Sequence, residues 1–329
     1  MIWVDRLRTT KARLVAGFIS AMLSCAAMAD GPQVSEARRP AGDEDLRFWL
    51  STMLEAHRYS VAEAAAATGL TVQEVVKDTA RLGLKPGQVL PRAPGEVLRV
   101  LPYPGGRHPR IGFLDGAIRP QRDTKFSVFT PWDAASYVVV DLPEAVWSNL
   151  GLTYLAHTHV PTIWSRRGIV LPRLEWQRKQ GGVLDEVRSL PNGIVLAAWV
   201  VPGTDAVRMR LTLTNGTGSK LSDLRVQMCV MLKGAAGFAA QTNDNKIFRP
   251  PYAACRSDDG TRWIISAWSP CQHAWGNPSC PCLHSDPQFP DCPPGETRTV
   301  RGWLSFYEGK DLDGELRRIE ALGWQKGSD

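Results

Sequence analysis

The chain has 329 residues, of which 39 are lysine or arginine and 33 are aspartate or glutamate, for a formal net charge of +6. Four of the basic residues and one acidic residue lie in the first 29 positions, so the remainder carries 35 against 32 and is nearly neutral. This balance excludes a general electrostatic attraction to nucleic acid or to an anionic membrane. The length suits two domains, one of them small, with ample cores.

The amino-terminal segment has the order of parts that is typical of a secretory signal peptide. Four basic residues precede a mostly apolar run of 16 residues at 14–29, short of the ~20 needed to span a bilayer. Ala27 and Ala29 suit cleavage after residue 29, and a lipid anchor on Cys25 is the alternative. We therefore expect an exported protein, periplasmic or extracellular, that begins near Asp30 and has no transmembrane span.

Residues 30–84 are predicted to form a small helical module. Apolar side chains recur at helical spacing in its first half, and its second half is similar to a helix-turn-helix unit. Ala65, Gly69 and Val75 stand where that unit has a small residue, a turn glycine and a buried β-branched residue. Between 43 and 85 there are seven acidic and five basic residues, so we predict that the module binds no nucleic acid.

A β-rich domain is predicted after a linker at 85–96 that is rich in proline and glycine. From residue 97 the hydrophobic pattern has a period of two, and strand-like segments recur without helices between them. This pattern favours a mainly β protein, with an antiparallel β-sandwich over 97–309 and a C-terminal helix and tail over 310–329. The clearest predicted strands are 125–130, 136–142, 152–160, 194–201, 261–268 and 300–308.

One hairpin is predicted within this domain. Apolar residues alternate with polar ones over 207–213 and again over 224–232. Asn215 and Gly216 lie between the two segments and form a dipeptide that is common in tight hairpin turns. The pattern therefore predicts two antiparallel neighbours that share one buried face.

His157 and His159 are the first candidate catalytic residues. They lie two positions apart in a strand-like segment, so both imidazoles leave the same face of the sheet. Such a pair suits a transition metal or the proton transfers of a hydrolase or lyase. Two histidines that are hydrogen-bonded on a polar sheet face, without a catalytic role, are the alternative.

Two further polar segments are candidates for ligand contacts. Arg107, His108 and Asp115 lie around a Pro-Gly-Gly turn, where forked donors and a titratable base suit an anionic or hydroxyl-rich ligand. His108 and Asp115 are therefore candidate catalytic residues, and Arg107 is a candidate ligand contact. A second polar run lies at 241–246. It suits contacts with sugar hydroxyls or the binding of Ca²⁺ through Asp244, and a surface loop without a ligand is the third alternative. Its candidate contacts are Asn243, Asp244, Asn245 and Lys246.

A cysteine-rich segment at 268–296 holds seven prolines in 29 residues, so no helix or strand is predicted to run through it. In an oxidising compartment its four cysteines are predicted to form two disulfides, whose pairing the sequence leaves open. A zinc ion held by thiolates and imidazoles is the alternative. The four candidates are Cys271, Cys280, Cys282 and Cys292.

Four strings together resemble an uncharacterised family of exported bacterial proteins: PYPGGRHPRIGFLDGAI, NLGLTYLAHTHVPTIW, QTNDNK and CPCLHSDPQFPDCPPGE. More loosely, the long alternating strands with histidine on a sheet face are similar to the galactose-mutarotase-like supersandwich. That resemblance implies a concave sheet that holds carbohydrate, with histidine and carboxylate as acid and base.

These observations favour an exported carbohydrate-binding or carbohydrate-active protein, such as a lyase, an epimerase or a glycosidase-associated domain. His157 and His159 act as the acid–base or ligand-orienting pair in this hypothesis. Trp132 or Trp164 stacks on the sugar, because flat indoles suit pyranose faces, and His284 is a further ligand contact.

Two other functions stay open at this point. In a metalloprotein, His157, His159 and a third ligand such as His284 hold copper or zinc, and a divalent metal is the one cofactor that the pattern suggests. In a non-catalytic envelope protein, the helical module docks a partner.

Overall fold

The computed structural model describes residues 37–88, 91–107, 122–156 and 160–326. The predicted signal peptide and four predicted catalytic residues fall outside these ranges: His108, Asp115, His157 and His159.

The described chain starts with the predicted helical module. Its helices are α1 (Asp43–Leu50), which continues into a π-helical turn at Ser51–Ala56, α2 (Val61–Thr68) and α3 (Val72–Arg81). Ser60 and Thr71 begin α2 and α3 with complete capping boxes, in which side chain and backbone bond each other reciprocally. Gly69 ends α2 with a φ of 71°, which explains why a glycine occupies the turn.

Fifteen strands follow within the described residues. In chain order they are β1 (Val100–Pro102), β2 (Lys125–Thr130), β3 (Asp133–Ser148), β4 (Gly151–Leu155), β5 (Gln177–Arg178), β6 (Leu184–Ser189), β7 (Ile194–Pro202), β8 (Ala206–Asn215), β9 (Val226–Met231), β10 (Lys246–Arg249), β11 (Tyr252–Arg256), β12 (Arg262–Ser269), β13 (Cys271–Trp275), β14 (Cys282–Pro287) and β15 (Thr297–Glu308). Helix α4 (Leu312–Ala321) comes after them, as predicted.

The strands form two antiparallel sheets, which confirms the predicted mainly β fold class. The seven-stranded sheet has the order β1-β2-β3-β9-β14-β13, with β4 also paired to β3. The eight-stranded sheet has the order β10-β11-β12-β15-β8-β7-β6-β5. The main hydrophobic core joins side chains from both sheets, among them Val140, Val230, Leu211 and Leu304. We call this side of each sheet its inner face.

The hairpin predicted around Asn215 and Gly216 is wrong. Strand β8 pairs with β7 and β15 in the eight-stranded sheet, whereas β9 pairs with β3 and β14 in the seven-stranded sheet. Residues 216–225 therefore lead from one sheet to the other. Alternation in the sequence indicates which side of a strand is buried. Both β8 and β9 bury their apolar side in the core between the sheets, although they belong to different sheets. The pattern therefore does not identify the partner strand.

The prediction that no strand runs through the cysteine-rich segment is also wrong. Strands β13 and β14 form a hairpin there, with Trp275 opposite His284. The prolines fall where a strand needs no ladder N–H: Pro270 precedes β13, Pro278 and Pro281 lie in the connection, and Pro287 ends β14. The prolines therefore mark the ends of β13 and β14 and are compatible with both strands.

The helical module packs against the outer face of the seven-stranded sheet. Its buried His57 accepts a hydrogen bond at Nε2 from the Ser127 hydroxyl (2.8 Å), because its Nδ1 donates to the Thr52 carbonyl (2.7 Å). A second apolar cluster joins Ala56 of the module to outer-face residues such as Tyr137. Among the described residues, no helix has the length and apolar character needed to cross a membrane.

A buried carboxyl group interrupts the inner face of the eight-stranded sheet. Glu186 in β6 is only 6% exposed, and burial raises its pKa from the usual 4.5 to about 7, against the opposing charge of Arg188. Because the folded chain then binds this proton more tightly than the unfolded chain, the Glu186 contribution to stability declines as the pH rises from about 4.5 to about 7.

Replacing Glu186 with Gln is expected to remove this pH dependence. At pH 8 the variant should be more stable than the wild type by up to about 3 kcal/mol, and at pH 4 the two should agree, since 2.5 pKa units correspond to roughly that free energy. Urea unfolding between pH 4 and 8 measures the difference. The exposed Glu308→Gln is the control, and parallel curves for the Glu186 variant and the wild type would contradict the expectation.

Candidate functional site

Polar and thiol side chains gather on the outer face of the seven-stranded sheet. In β9, Val226, Met228 and Val230 point into the main core, so Gln227 and Cys229 face outward. In β14 the inner position is Leu283, so its neighbours face outward as well. We call the resulting group the outer-face cluster, and it consists of Glu144, Gln227, Cys229, Cys282, His284 and Asp286.

His284 lies at the centre of this cluster and is 2% exposed. Its Nδ1 donates to the Met228 carbonyl (2.6 Å), and its Nε2 lies 3.4 Å from the Cys282 sulfur. The Trp275 ring stacks on the imidazole, with centroids 4.0 Å apart and planes 13° apart. These contacts fix both the orientation of the ring and the position of its proton.

The two carboxyl groups of the cluster are held by different partners. Asp286 accepts hydrogen bonds from the Met228 N–H (2.9 Å) and from the Trp275 indole N–H (2.6 Å), and burial raises its pKa to about 6. Glu144 is 2% exposed and accepts a hydrogen bond from the Gln227 amide (2.7 Å). The cluster therefore presents two oriented carboxyl groups at one end of the sheet.

Cys282 and His284 shift the pKa of each other. A hydrogen bond from Cys229 and the neighbouring imidazole lower the pKa of Cys282 to about 4, although burial opposes this shift. Burial alone would lower the pKa of His284, but the hydrogen bond and the charge of Cys282 raise it. A thiolate is the form that reacts as a nucleophile and that binds a metal.

The predicted polar run at 241–246 reaches the cluster through its last residue. Lys246 is buried, and its ammonium donates to the Asn243 side-chain oxygen (3.1 Å) and to the carbonyls of Asn277 (3.2 Å) and Cys280 (3.1 Å). The pKa of Lys246 is lowered, because the effect of burial exceeds the opposing effect of the nearby sulfurs, of which Cys282 has the largest. This lysine thus holds the connection between β13 and β14.

Other members of the polar run have different surroundings. Asp244 is exposed and belongs to no metal-binding group of the described chain. Asn245 donates to the Arg256 carbonyl (3.3 Å) beside β11. The predicted sugar contacts of 243–246 stay a prediction.

Arg107, a predicted ligand contact, bonds to the helical module, and its contact with a ligand stays a prediction. Its guanidinium donates to both carboxylate oxygens of Glu63 (2.6 and 2.9 Å), to the His57 carbonyl (2.9 Å) and to the Arg58 carbonyl (3.0 Å). It also lies 3.8 Å above the Tyr59 ring. Through these contacts Arg107 ties the helical module to the chain before β2.

The two tryptophans predicted to stack on sugar have unlike environments. Trp164 is 2% exposed in the main core, and its indole donates to the Thr153 carbonyl (2.7 Å). Trp132 is partly buried beside Phe238 and lines a shallow surface pocket together with Arg99. None of the described residues that line this pocket belongs to the outer-face cluster. Sugar stacking by Trp132 or Trp164 stays a prediction.

No two cysteine sulfurs of the described residues lie at disulfide-bond distance. The two predicted disulfides are therefore not shown, and the cysteines have other surroundings. Cys282 approaches Cys229 and His284, and Cys271 approaches the Ser285 hydroxyl (3.7 Å). Cys292 lies beside Leu221, where its sulfur approaches the Glu296 carbonyl (3.2 Å).

Several members of the cluster were missed in the sequence. Glu144 and Gln227 lie within strands as single polar residues, and only the phase of the alternation places Gln227 and Cys229 on one face. Asp286 follows His284 at a spacing of two, which is the signal that singled out His157 and His159, so it could have been found. Trp275 could be placed only from the pairing of β13 with β14.

No protein-family model and no curated protein matches the chain. Among solved structures, the chain is similar to a proposed aldose 1-epimerase from Escherichia coli, with 13% identity, coverage of 41% of this chain and 69% of that one, and a TM-score of 0.31. It is also similar to a mutant heparan sulfate lyase from Pedobacter heparinus (9% identity, coverage of 82% and 46%, TM-score 0.36) and to a polysaccharide lyase (11%, 41% and 23%, TM-score 0.29). A functional assignment must therefore rest on the side chains of this chain.

Proposed function

We propose that the chain is an exported carbohydrate-binding or carbohydrate-active β-sandwich protein, with its sugar site on the outer face of the seven-stranded sheet. The observation that carries this proposal is the pairing of Glu144 with Gln227 beside Asp286 in the outer-face cluster. Export is proposed from the signal-peptide pattern of the first 29 residues.

The side-chain chemistry of the cluster supports a sugar ligand. A sugar hydroxyl both donates and accepts hydrogen bonds, so it is recognised by carboxylate acceptors and amide groups set side by side. Glu144 and Gln227 provide this combination, and their mutual bond (2.7 Å) holds the carboxylate in one orientation. Because Glu144 is buried, a hydrogen bond to it is stronger than one made at an open surface.

The predicted acid–base pair comes shortly after β4 in sequence. The Ala156 N–H donates to the Glu144 carbonyl (2.8 Å), which brings the end of β4 beside Glu144. His157 is the next residue, and we propose His157 and His159 as the acid–base or ligand-orienting pair, with His108 and Asp115 as further catalytic candidates.

The proposal predicts that Glu144→Gln weakens sugar binding by roughly 10–100-fold, because a hydrogen bond to a charged group contributes about 1.5–3 kcal/mol. The wild type is first screened against neutral and uronic-acid oligosaccharides, and calorimetric titration then compares the variant on each sugar that binds. Since the amide keeps the shape of the carboxyl group, the fold should be unaffected.

The exposed Glu296→Gln is the matched control and should bind like the wild type. A Glu144 variant of unchanged affinity would move the sugar site away from the outer-face cluster. A wild type that binds no oligosaccharide of the panel would contradict the proposed function itself.

A further inference from the structure

Three side chains of the outer-face cluster have the arrangement of metal ligands. The sulfurs of Cys229 and Cys282 and a ring nitrogen of His284 all lie within 4.8 Å of one another, and all three residues are buried. We propose that they form a binding site for a thiophilic metal cation, with Zn²⁺ as the occupant. This inference is independent of the proposed function, since it needs no sugar.

The spacing of the ligand atoms fits a zinc ion. With Zn–S of about 2.3 Å and Zn–N of about 2.0–2.1 Å, tetrahedral angles separate a sulfur from a nitrogen by roughly 3.6 Å. The Cys282 sulfur and the His284 Nε2 are 3.4 Å apart. The third ligand, Cys229, lies on the neighbouring strand and faces the same side of the sheet, so small side-chain rotations bring all three atoms to bonding distance.

The proton on His284 is placed as a metal ligand requires. Because Nδ1 donates to the Met228 carbonyl (2.6 Å), the lone pair of the neutral ring is on Nε2, which points at the sulfur of Cys282. A backbone carbonyl that fixes the tautomer in this way is a usual partner of a metal-bound histidine. The stacked Trp275, itself held by Asp286 (2.6 Å), keeps the ring in place.

The donor set selects the class of metal. Two thiolates and one imidazole favour zinc or monovalent copper over magnesium and calcium, which prefer oxygen ligands. All three ligands sit on the paired strands β9 and β14, so the sheet holds them at a fixed separation before any metal arrives.

The test is metal binding by the full chain, after chelation and thiol reduction, with Zn²⁺ and Co²⁺ as probes. Elemental analysis is expected to find one zinc per chain, and Co²⁺ is expected to give thiolate-to-cobalt charge-transfer absorption. Cys229→Ser and Cys282→Ser should each weaken zinc binding by more than the roughly 10–100-fold that loss of a partner outside the ligand set causes. The charge-transfer band is measured on the wild type, so it tests the proposal even if a serine variant fails to fold.

Cys271→Ser is the matched control, because Cys271 belongs to the same hairpin and lies outside the three ligands; it should keep one zinc. A disulfide between Cys229 and Cys282 in freshly purified protein would overturn the proposal. So would a reduced wild type without zinc or cobalt affinity, or equal affinity in all three serine variants. The exposed Glu296→Gln is expected to leave zinc binding unchanged. Because the zinc titration needs no sugar, failure of the sugar site and failure of the metal site can be told apart.

Discussion

Replacing Asp141 with Asn is expected to lower the free energy of unfolding by about 3–5 kcal/mol, because it leaves a buried lysine without its counter-charge. Asp141 and Lys125 lie opposite each other in β3 and β2, with the ammonium 2.8 Å from the carboxylate, and both side chains are fully buried. The Thr124 hydroxyl also donates to Asp141. Urea unfolding at pH 7 measures the loss.

Two comparisons separate burial from charge. Lys220 and Asp291 form an exposed pair with nearly the same distance, 2.9 Å, so Asp291→Asn should cost less than about 1 kcal/mol. The double change Lys125→Met with Asp141→Leu should recover much of the loss, because it removes both charges and fills the same space. A single Asp141 variant within 1 kcal/mol of the wild type would show that the ion pair is dispensable.

Replacing Arg107 with Met is expected to lower the free energy of unfolding by about 2–4 kcal/mol and to loosen the helical module. The change removes two hydrogen bonds to Glu63. It also leaves the carbonyls of His57 and Arg58 without the hydrogen bonds that the guanidinium donates to them. Urea unfolding gives the stability, and hydrogen exchange over residues 43–81 reports on the module.

Lysine should restore only a part of this loss, since one ammonium cannot reproduce the forked contacts of a guanidinium. Arg39→Met is the control, because the pair of Arg39 with Glu74 (3.2 Å) is exposed and should contribute little. If hydrogen exchange in α2 and α3 were the same for the Arg107 variant and the wild type, the attachment of the module would depend on its apolar contacts instead.

The sequence predicted local structure well and strand partners poorly. Capping boxes at Ser60 and Thr71 and period-two alternation depend on neighbouring residues, so the helices and the strand positions could be predicted. The partner of β8 depends on residues far along the chain, among them β15, and no local signal specifies it. The prolines of the cysteine-rich segment were misread because their effect depends on whether a ladder bond is needed at each position.

The candidate site was predicted in part for the same reason. His284, Lys246, Asn243 and Cys282 were singled out by residue type, and the fold brings them close to one another. Cys229 joins them from a strand about 50 residues earlier, through the pairing of β9 with β14. A prediction from residue type cannot supply that pairing, so the metal site became visible only in three dimensions.

The position of β15 has a consequence for how the chain is made. It is a central strand of the eight-stranded sheet, paired with β8 on one side and with β12 on the other. Before Thr297–Glu308 pairs, the strands on either side cannot join, and β12 and β8 each have an open edge. Open edges recruit strands from other chains. A chain that ends before Thr297 is therefore expected to aggregate more readily than the finished molecule.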